Sequence, residues 1–404
     1  MTCVIWRTSG RWCAIAATLW TGSSRTPSPC PPCRTPSSCR PREPAPKWFS
    51  TPGSERVSDY RTAIIGVSGA RARGHAEAYA HIDRGHLVAV SSRNSENVAA
   101  FGEHFGVPAR YTDYRLMLAK ERPDVVHVNT PPNVRLEVFE AAADAGVPAL
   151  IVEKPLAIDG EDWTAISEWA ARAPAVKIAV NHQLHFQPRR RLLQERVVDG
   201  AIGGVRFVDV SAGMNLAYQG THALQAIGAF HPAGVPETVF AQVSGAEGLA
   251  DTPRKHLAPD RCLAAIAFAD GVTARLQCGP QAPRVGREGI NTHKRIAIYG
   301  ERGFVHWWMW GWEMAIDGVL ESGTHEYPDQ DILGQAAMTE AMFDWLEDDG
   351  AVHPLCLENS LRDFNVVLGI YASSLRREVV DLPFVPEPGL IPSLRAILGA
   401  NNPT

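Results

Sequence analysis

The sequence has few cysteines after residue 58 and no long apolar run. Of the eight cysteines among 404 residues, only Cys262, Cys278 and Cys356 follow residue 58, and they are widely spaced. An odd number of scattered cysteines is not typical of a disulfide framework, so we expect a reducing compartment, the cytoplasm. No apolar run approaches the length needed to cross a bilayer, and we therefore expect no membrane partner.

An excess of positive charge is also missing. The net charge is −5, but residues 1–58 hold eight Lys/Arg and two acids, so the other 31 Lys/Arg and 42 Asp/Glu carry −11. This balance argues against a nucleic-acid partner. Hydrophobic content of 45% and charged content of 21% are ordinary for a globular protein, and the length allows two domains.

Residues 1–58 differ in kind from the rest. They contain nine prolines and many serines, and the segment Arg25–Thr51 cannot bury enough apolar surface to fold. We predict a disordered extension, although the apolar stretch 12–20 after Arg11 resembles a short signal peptide in outline. Cys30 and Cys33 have the spacing of half a zinc site whose second half is missing, so no metal site is predicted.

Residues 59–183 alternate strand and helix patterns with short connections. This β-α-β-α order predicts an α/β fold of the Rossmann type, with a doubly wound parallel sheet. The predicted strands are Arg61–Val67, His86–Ser91, Asp124–Asn129, Ala149–Glu153 and Val176–Asn181, and the predicted helices are His75–Asp83, Ser95–Phe105, Val134–Ala145 and Glu161–Arg172.

The pattern changes over residues 184–385, where we predict a C-terminal α+β domain with a large, mostly antiparallel sheet. The pair Asp270-Gly271 between two strand patterns predicts a hairpin. The tail from Asp381, including residues 386–404, is rich in proline and is predicted to be irregular. The predicted strands are Val205–Ala212, Val239–Ser244, Leu263–Phe268, Val272–Gln277, Arg295–Tyr299 and Phe304–Trp310, and the predicted helices are Pro188–Val198, Gly334–Glu347 and Leu357–Arg376.

The strand pattern Ala149–Glu153 ends abruptly in a charged pair and a proline. Because Pro155 cannot continue a ladder, Glu153 and Lys154 are expected at the carboxyl end of a buried parallel strand. Ligands bind at that edge of an open α/β sheet. A partly desolvated lysine there can take part in proton transfer. The alternative is a surface lysine at the start of a loop.

A glycine-bearing loop follows the first predicted strand. Gly66, Ser68 and Gly69 stand where a dinucleotide fingerprint belongs, so backbone N–H groups there would meet a pyrophosphate. The pattern is imperfect, because Ser68 occupies the second glycine position and Arg71 the third. An ordinary tight turn is the alternative.

The second predicted strand ends in Ser92 and Arg93 rather than in an acid. An acidic residue would bind a ribose 2′-hydroxyl and repel a 2′-phosphate, whereas hydroxyls and a guanidinium favour the phosphate. We therefore predict NADP as the cofactor, with NAD as the alternative. Arg93 could instead simply face solvent.

Three strand ends together resemble those of one oxidoreductase family. Thr130-Pro131-Pro132-Asn133, Glu153-Lys154-Pro155 and Asn181 resemble the Gfo/Idh/MocA family, named for glucose–fructose oxidoreductase and inositol dehydrogenase. The resemblance covers about residues 60–385. It implies hydride transfer between NAD(P) and a small sugar-like polyol or carbonyl substrate, and a homo-oligomer formed through the second sheet.

The resemblance also implies roles for individual residues. Lys154 would be the catalytic lysine. His222 fits a histidine of the family's second domain, but Tyr218 stands where the family has an aspartate and Arg135 where it often has a histidine. The residues that would border the nicotinamide and its ribose are Thr130, Pro131, Asn133, Glu153 and Lys154.

We predict that His222 is the acid/base, that Lys154 polarises the substrate oxygen or relays a proton, and that Tyr218 assists. Simple packing is the alternative for Tyr218, and hydrogen bonding to backbone is the alternative for His222. His182 and His185 are interpreted as structural. Two other functions stay open: a hydrolase or lyase that oxidises its sugar transiently on tightly held NAD, and a non-catalytic dinucleotide sensor.

Four tryptophans crowd one predicted strand. Of Trp307, Trp308, Trp310 and Trp312, the last three share a face at period two. Such a face could stack against a sugar ring, although sheet packing or a subunit interface is the commoner use.

Overall fold

The structure is a computed structural model that describes residues 59–173, 175–253, 255–286, 289, 291 and 293–400. These residues belong to one compact unit. The predicted disordered extension, residues 1–58, and the Cys30/Cys33 pair lie outside the described residues. Within the described part of the chain, no helix is long and apolar enough to cross a membrane.

The first sheet of the described chain is parallel and has the strand order β3-β2-β1-β4-β5-β6, which confirms the predicted doubly wound fold. Helices pack against it. Its strands are β1 (Tyr60–Ile65), β2 (Gly85–Ser91), β3 (Ala109–Tyr111), β4 (Val125–Val128), β5 (Ala149–Glu153) and β6 (Lys177–Asn181). The helices are α1 (Ala70–Ala78), α2 (Ser95–His104), α3 (Tyr114–Glu121), α4 (Arg135–Asp144) and α5 (Gly160–Arg172).

The central strands are apolar because helices cover both faces of the sheet. Every residue of β4 and of β5 is buried, as continuous apolar runs in a parallel sheet require. The predicted bounds of α1 were wrong, because this helix begins at Ala70 rather than at His75. The loop after β1 is therefore only four residues long, and the start of α1 lies directly beside the end of β1.

The second sheet is mostly antiparallel, as predicted, with the order β14-β13-β12-β11-β7-β10-β9-β8-β15 among the described residues. Only β7 and β10 pair in parallel within it. Its strands are β7 (Val205–Ala212), β8 (Pro236–Ser244), β9 (Arg261–Phe268), β10 (Thr273–Cys278), β11 (Lys294–Gly300), β12 (Gly303–Trp308), β13 (Gly311–Ile316), β14 (Val319–Thr324) and β15 (Val380–Asp381).

The Asp270-Gly271 hairpin is present between β9 and β10, with Gly271 at φ +86°. Along β8, β9 and β10 buried and exposed residues alternate, so one face of the sheet lies against the core. The helices that follow the first sheet are α6 (Pro188–Val198), α7 (Thr221–Phe230), α8 (Tyr327–Glu347), α9 (Leu357–Arg376) and α10 (Leu390–Ala400).

The expectation of a single tryptophan strand was wrong. A turn at Met309 and Trp310 ends β12 and begins β13, so Trp307 pairs with Trp312 across the hairpin. Both rings are buried, and arginine guanidinium groups of α6 lie over them, Arg190 at 5.2 Å from the Trp307 centroid and Arg189 at 4.7 Å from that of Trp312. Trp308 lies on the opposite face. Interior packing therefore accounts for the first two rings.

The irregular tail was also predicted wrongly. Val380–Asp381 pairs with β8, and residues 390–400 form α10. Proline at the third position of α10 is compatible with the first turn of a helix. Its apolar residues Leu390, Ile391 and Leu394 are all buried, so a short apolar face holds the segment against the core.

Candidate active site

The first sheet reverses its strand order between β1 and β4, and the candidate site begins at this point. The chain winds outward through β2 and β3, then returns to the other side of β1. Gly66, just after β1, has φ +88°, and a Cβ there would lie 2.9 Å from the carbonyl oxygen of Asn129. Only glycine fits both the conformation and the contact. Such a crevice at carboxyl ends of strands is where α/β folds bind ligands.

The N-terminus of α1 opens onto this crevice. Gly69 is the N-cap residue, no side chain caps the helix, and its first turn holds no acid. A Cβ on Gly69 would meet nothing within 4 Å. The Ser68 hydroxyl accepts a hydrogen bond of 3.1 Å from the Asn97 side chain. Uncapped N–H groups with a partial positive charge suit a phosphate.

Arg71 stands at the third glycine position of the fingerprint, but its side chain extends towards α8 rather than packing against the first sheet. The small buried residue of that turn is Ala72. Arg71 forms a 3.2 Å ion pair with Asp331 of α8. Burial lowers the pKa of Arg71, but the carboxylates of Asp331 and Glu153 raise it further than burial lowers it. The departure from the glycine pattern therefore adds a fixed positive charge beside the crevice.

The end of β2 carries no acid. Ser91 is buried, Ser92 is half-buried and Arg93 is exposed. The first carboxylate that follows is Glu96, in the first turn of α2. The polar groups at this strand end are therefore the Ser92 hydroxyl and the Arg93 guanidinium, and the guanidinium is accessible. In dinucleotide-binding folds the end of this strand contacts the adenosine ribose.

The end of β4 presents polar atoms without partners. Both side-chain polar atoms of Asn129 and the Thr130 hydroxyl are buried and have no hydrogen-bond partner among the described residues. Pro131 is half-buried, and Asn133 is exposed on the short 3₁₀ turn Pro132–Val134. Buried polar atoms are normally satisfied, so these atoms are suited to a ligand's hydroxyl and amide groups.

Glu153 ends β5 within a buried polar network. The Asn181 side-chain amide donates a 2.5 Å hydrogen bond to its Oε1, and His75 Nε2 lies 3.4 Å from the same atom. Burial would raise the pKa of Glu153, but the hydrogen bond from His75 and the charges of Arg71 and Lys154 lower it to about 2. Glu153 is therefore a fixed carboxylate that positions its neighbours.

Arg135 links the carboxyl ends of β4 and β5 through hydrogen bonds to their backbone. This buried guanidinium donates to the backbone oxygens of Val128 at 3.2 Å and Glu153 at 2.7 Å, with Pro155 at 3.5 Å. Burial lowers its pKa to about 10, so it remains charged at neutral pH. The residue ties the ends of β4 and β5 together rather than facing the crevice.

Lys154 reaches across to the second part of the chain. Its Nζ donates a 2.8 Å hydrogen bond to the backbone oxygen of Tyr218 and lies 4.5 Å from that residue's ring centroid. Tyr218 belongs to a π-helical turn, Leu216–Gly220, that leads into α7, and its N–H is bonded to Asn215. This turn therefore fixes the position of the Tyr218 carbonyl, which accepts the hydrogen bond from Lys154.

His222 lies in the first turn of α7, buried against His182. Their ring centroids are 5.0 Å apart in an edge-to-face arrangement. The Nδ1 of His222 and both ring nitrogens of His182 have no partner of good hydrogen-bond geometry among the described residues. Burial, with the nearby charge of Lys154, lowers the pKa of His182 to about 3 and that of His222 well below its usual value. Both imidazoles are neutral at physiological pH.

The residues fit a bound dinucleotide. Gly66 and Gly69 leave room for it, α1 offers free N–H groups, and Thr130 and Asn129 offer unpartnered polar atoms. No group of three or more His, Cys, Asp or Glu side chains in the described residues is arranged to hold a metal ion.

Comparison with known proteins agrees with this geometry. Residues 60–182 match a family model described as "Oxidoreductase family, NAD-binding Rossmann fold", that of Gfo/Idh/MocA proteins. The Rossmann part of this chain belongs to the Gfo/Idh/MocA family. The family match covers the first sheet from β1 to His182.

The relatives that this chain matches include sugar dehydrogenases. D-apiose dehydrogenase of Paraburkholderia graminis is 34% identical over 147 residues, which are 36% of this chain and 38% of that protein. D-xylose 1-dehydrogenase (NADP(+)) 2 of Haloferax volcanii is 24% identical over 223 residues, 51% of this chain and 65% of that protein. The chain thus matches less than two thirds of the length of each.

Solved structures share the whole fold. Levoglucosan dehydrogenase in complex with NADH and levoglucosan has a TM-score of 0.69 at 18% identity, covering 81% of this chain and all of that one. An oxidoreductase from Agrobacterium radiobacter in complex with NAD+, L-tartaric acid and magnesium has a TM-score of 0.68 at 19% identity, with 80% and 98% covered. At this identity the likeness establishes the fold of both sheets.

The sequence did not reveal two buried histidines of this Gfo/Idh/MocA site. His75 on α1 contacts Glu153, and His182 after β6 contacts His222. His75 lies on α1, six residues after Gly69, and only this closeness to the glycine loop could have indicated it. His182 was interpreted as structural because a single histidine after a strand carries no distinguishing pattern.

Proposed function

We propose that this protein is an NAD(P)-dependent oxidoreductase that transfers a hydride between the nicotinamide and a sugar, inositol or related polyol or carbonyl compound. The observation that carries the proposal is the hydrogen bond from Lys154, at the end of β5, to Tyr218, which lies four residues before His222. We assign coenzyme binding to residues 59–183 and substrate binding to residues 184–385.

Three residues of the chain have separate roles in this hydride transfer. When bound, the nicotinamide exchanges a hydride with a substrate carbon. Lys154 donates a hydrogen bond to the substrate oxygen and stabilises its negative charge, while neutral His222 accepts the hydroxyl proton in oxidation and returns it in reduction. Tyr218 positions Lys154 through its carbonyl and its ring face.

We propose the coenzyme contacts from the same geometry. The pyrophosphate lies at the start of α1 and contacts the loop formed by Gly66, Ser68 and Gly69. A side chain at Gly66 would meet the Asn129 carbonyl, and α1 offers uncapped N–H groups after Gly69. Around the nicotinamide and its ribose we place the unpartnered Thr130 hydroxyl, Pro131 and Asn133 on one side and Glu153 with Lys154 on the other.

We propose NADP as the preferred coenzyme. Exposed Arg93 and the Ser92 hydroxyl follow β2 without a carboxylate that would repel a 2′-phosphate. The D-xylose dehydrogenase relative carries NADP(+) in its name, which supports this preference. Levoglucosan dehydrogenase in complex with NADH makes NAD the comparison to run.

The deciding experiment is a turnover assay of the purified full-length chain. D-apiose, D-xylose, levoglucosan and myo-inositol are offered with NADP+ and with NAD+, and reduced nicotinamide is followed by absorbance. We expect oxidation of at least one sugar, and none by a Lys154→Met variant that still binds coenzyme. Coenzyme binding without turnover on the whole panel would favour a sensor, and tightly held coenzyme with no net consumption a hydrolase or lyase.

We also propose a homo-oligomer that buries the outer face of the second sheet. Large apolar side chains are exposed there, with Phe240 52%, Leu263 48% and Tyr299 42% exposed. An apolar face of this kind on a sheet favours association with a second copy. Sedimentation velocity of wild type against a Phe240→Lys/Leu263→Lys variant tests this, and a monomeric wild type would refute it.

We propose a reducing compartment, the cytoplasm, as the working location. Cys262, Cys278 and Cys356 are all buried and free. Cys262 and Cys278 lie directly opposite each other on β9 and β10 and are nevertheless thiols. Thiol labelling of denatured protein that was purified without reductant, followed by peptide mapping, tests this, since the peptides that carry Cys262, Cys278 and Cys356 are expected to be labelled.

A further inference from the structure

A small chamber lies beside His182, one of the two site histidines. It is bounded by His182 after β6, Thr221 at the start of α7, and Ser360 and Asp363 of α9, with apolar side chains completing the wall. The volume open to the centre of a water molecule is about 10 Å³, which is room for about one water.

Two of the chamber's polar side chains have buried atoms that are unsatisfied. His182 and Thr221 are more than nine-tenths buried, and the ring nitrogens of the first and the hydroxyl of the second have no partner of good hydrogen-bond geometry among the described residues. Leaving such groups unsatisfied is unfavourable, because they lose their hydrogen bonds to water on burial. A water that bridges His182 and Thr221 to Asp363 would satisfy both side chains. That water would contact His182, whose ring packs edge-to-face on His222.

Asp363 also borders a second, wider groove. That groove has about 180 Å³ open to water, is lined by His185, Asn359 and Arg362, and reaches the surface at exposed Pro232. The Asp363 side chain is 18% exposed, and Arg362 Nε lies 3.8 Å from its Oδ1. Asp363 thus separates the chamber from a path to solvent.

We propose that Asp363 and the chamber water carry the reaction's proton between the His222–His182 pair and the solvent in the groove. This inference rests on the proposed function. In alcohol oxidation the hydride leaves with the coenzyme, the hydroxyl proton passes to His222, and the relay delivers that proton to bulk water; reduction reverses the path. No other oxidant or reductant is needed.

The electrostatics of Asp363 suit a carrier. Burial raises its pKa to about 6, against the lowering effect of Arg362, so the carboxyl gains and loses a proton close to neutral pH. The titratable and charged groups that face it are Arg362 on its own helix, His182 across the chamber and His185 across the groove. Both histidines have lowered pKa values, chiefly through burial, and remain neutral while Asp363 titrates.

The test compares wild type with Asp363→Asn, which keeps the shape and removes the exchangeable proton, and with Asn359→Ala, which alters the groove without bordering the chamber. In the Asp363→Asn variant we expect turnover to fall roughly tenfold or more, a larger solvent isotope effect, and partial rescue by small buffers that carry protons. Asn359→Ala should behave as wild type.

Each result has a defined consequence. An active wild type together with an Asp363→Asn enzyme of unchanged rate, solvent isotope effect and buffer response would overturn the relay alone, whereas an inactive wild type refutes the oxidoreductase proposal itself. If Asp363→Asn does not fold, Ser360→Val narrows the same chamber and must give the same three changes. Failure of that variant to do so would also overturn the relay.

Discussion

The ammonium group of Lys154 is bound to the backbone carbonyl of Tyr218, 2.8 Å away, and lies over the same residue's ring. A single residue of the second part therefore holds the candidate catalytic lysine of the first part. The phenol hydroxyl takes no part in either contact.

The first prediction concerns the Tyr218 hydroxyl and ring. Tyr218→Phe keeps both contacts to Lys154 and should retain turnover within about threefold, whereas Tyr218→Ala loses a cation–π contact worth about 0.5–2 kcal/mol and should lose correspondingly more. Steady-state kcat of the two variants is the measurement. A Phe variant as impaired as the Ala variant would mean that the hydroxyl itself acts on substrate.

The second prediction separates chemistry from binding. Lys154→Met and His222→Asn should each lower kcat by roughly 10²–10⁴-fold, the usual contribution of a positioned acid or base, while the coenzyme Kd changes little. Turnover and fluorescence titration with NADPH measure the two quantities. An unimpaired His222→Asn enzyme would remove His222 from the reaction and leave Lys154 alone in it.

The third prediction concerns the choice of coenzyme. Arg93→Ala should weaken NADP+ about tenfold or more, since a hydrogen bond to a charged group is worth about 1.5–3 kcal/mol, and should leave NAD+ unaffected. KM for both coenzymes is the measurement, and Arg172→Ala, an exposed arginine in the last turn of α5, is the matched control. A wild type that prefers NAD+ and does not respond to Arg93→Ala would contradict the assignment.

The fourth prediction tests the clamp made by Arg135. Arg135→Met leaves the carbonyls of Val128 and Glu153 unpaired and should lower the free energy of unfolding by about 1–3 kcal/mol. Arg135→Lys keeps the charge but not the planar fork, so it should recover only part of the loss. Urea denaturation measures both, and a stable Met variant would show that the clamp contributes little.

These tests rest on a site of which part was predictable from sequence. Lys154 and Glu153 were located because an apolar run that stops at Pro155 fixes a strand end. Gly66 was located because a glycine-bearing loop between a strand and a helix is where a dinucleotide fingerprint belongs. Such signals are local, and each depends on a few consecutive residues.

The rest of the site depends on contacts between distant segments. Arg71 was taken as a flaw in the glycine pattern, but its partner Asp331 is 260 positions away. The Trp307–Trp312 pairing likewise needed the turn at Met309 and Trp310, two apolar residues that gave no turn signal. Partners at this separation cannot be deduced from spacing along the chain, and the arrangement of His75 and His182 was missed for the same reason.

The last prediction concerns stability against pH and uses His353, which lies away from the crevice. Its Nδ1 accepts a 3.0 Å hydrogen bond from the Leu355 N–H, and its Nε2 bonds the Met338 carbonyl oxygen at 3.1 Å. The first contact requires an unprotonated Nδ1 and the second a protonated Nε2. The native state therefore needs the neutral ring, and burial lowers the pKa of His353 to about 4.

The sign of the effect follows from proton binding. Below the unfolded pKa of about 6.5 the unfolded chain binds a proton at this residue that the native state does not, so stability falls as pH falls from about 6.5 towards 4. The slope is about 1.4 kcal/mol per pH unit for one such histidine. The raised pKa values of Asp159 and Asp363, due chiefly to burial, act in the opposite direction between about 4 and 6.

The measurement is therefore a comparison rather than a single curve. Urea denaturation of wild type and His353→Gln at pH 7.5 and about 5.5 gives two pH slopes, and the common contributions of the carboxyls cancel between them. We expect the wild type to lose about 1 kcal/mol more than the variant over that interval. Equal slopes would mean that His353 is charged in the folded protein and that its two backbone contacts do not fix the neutral ring.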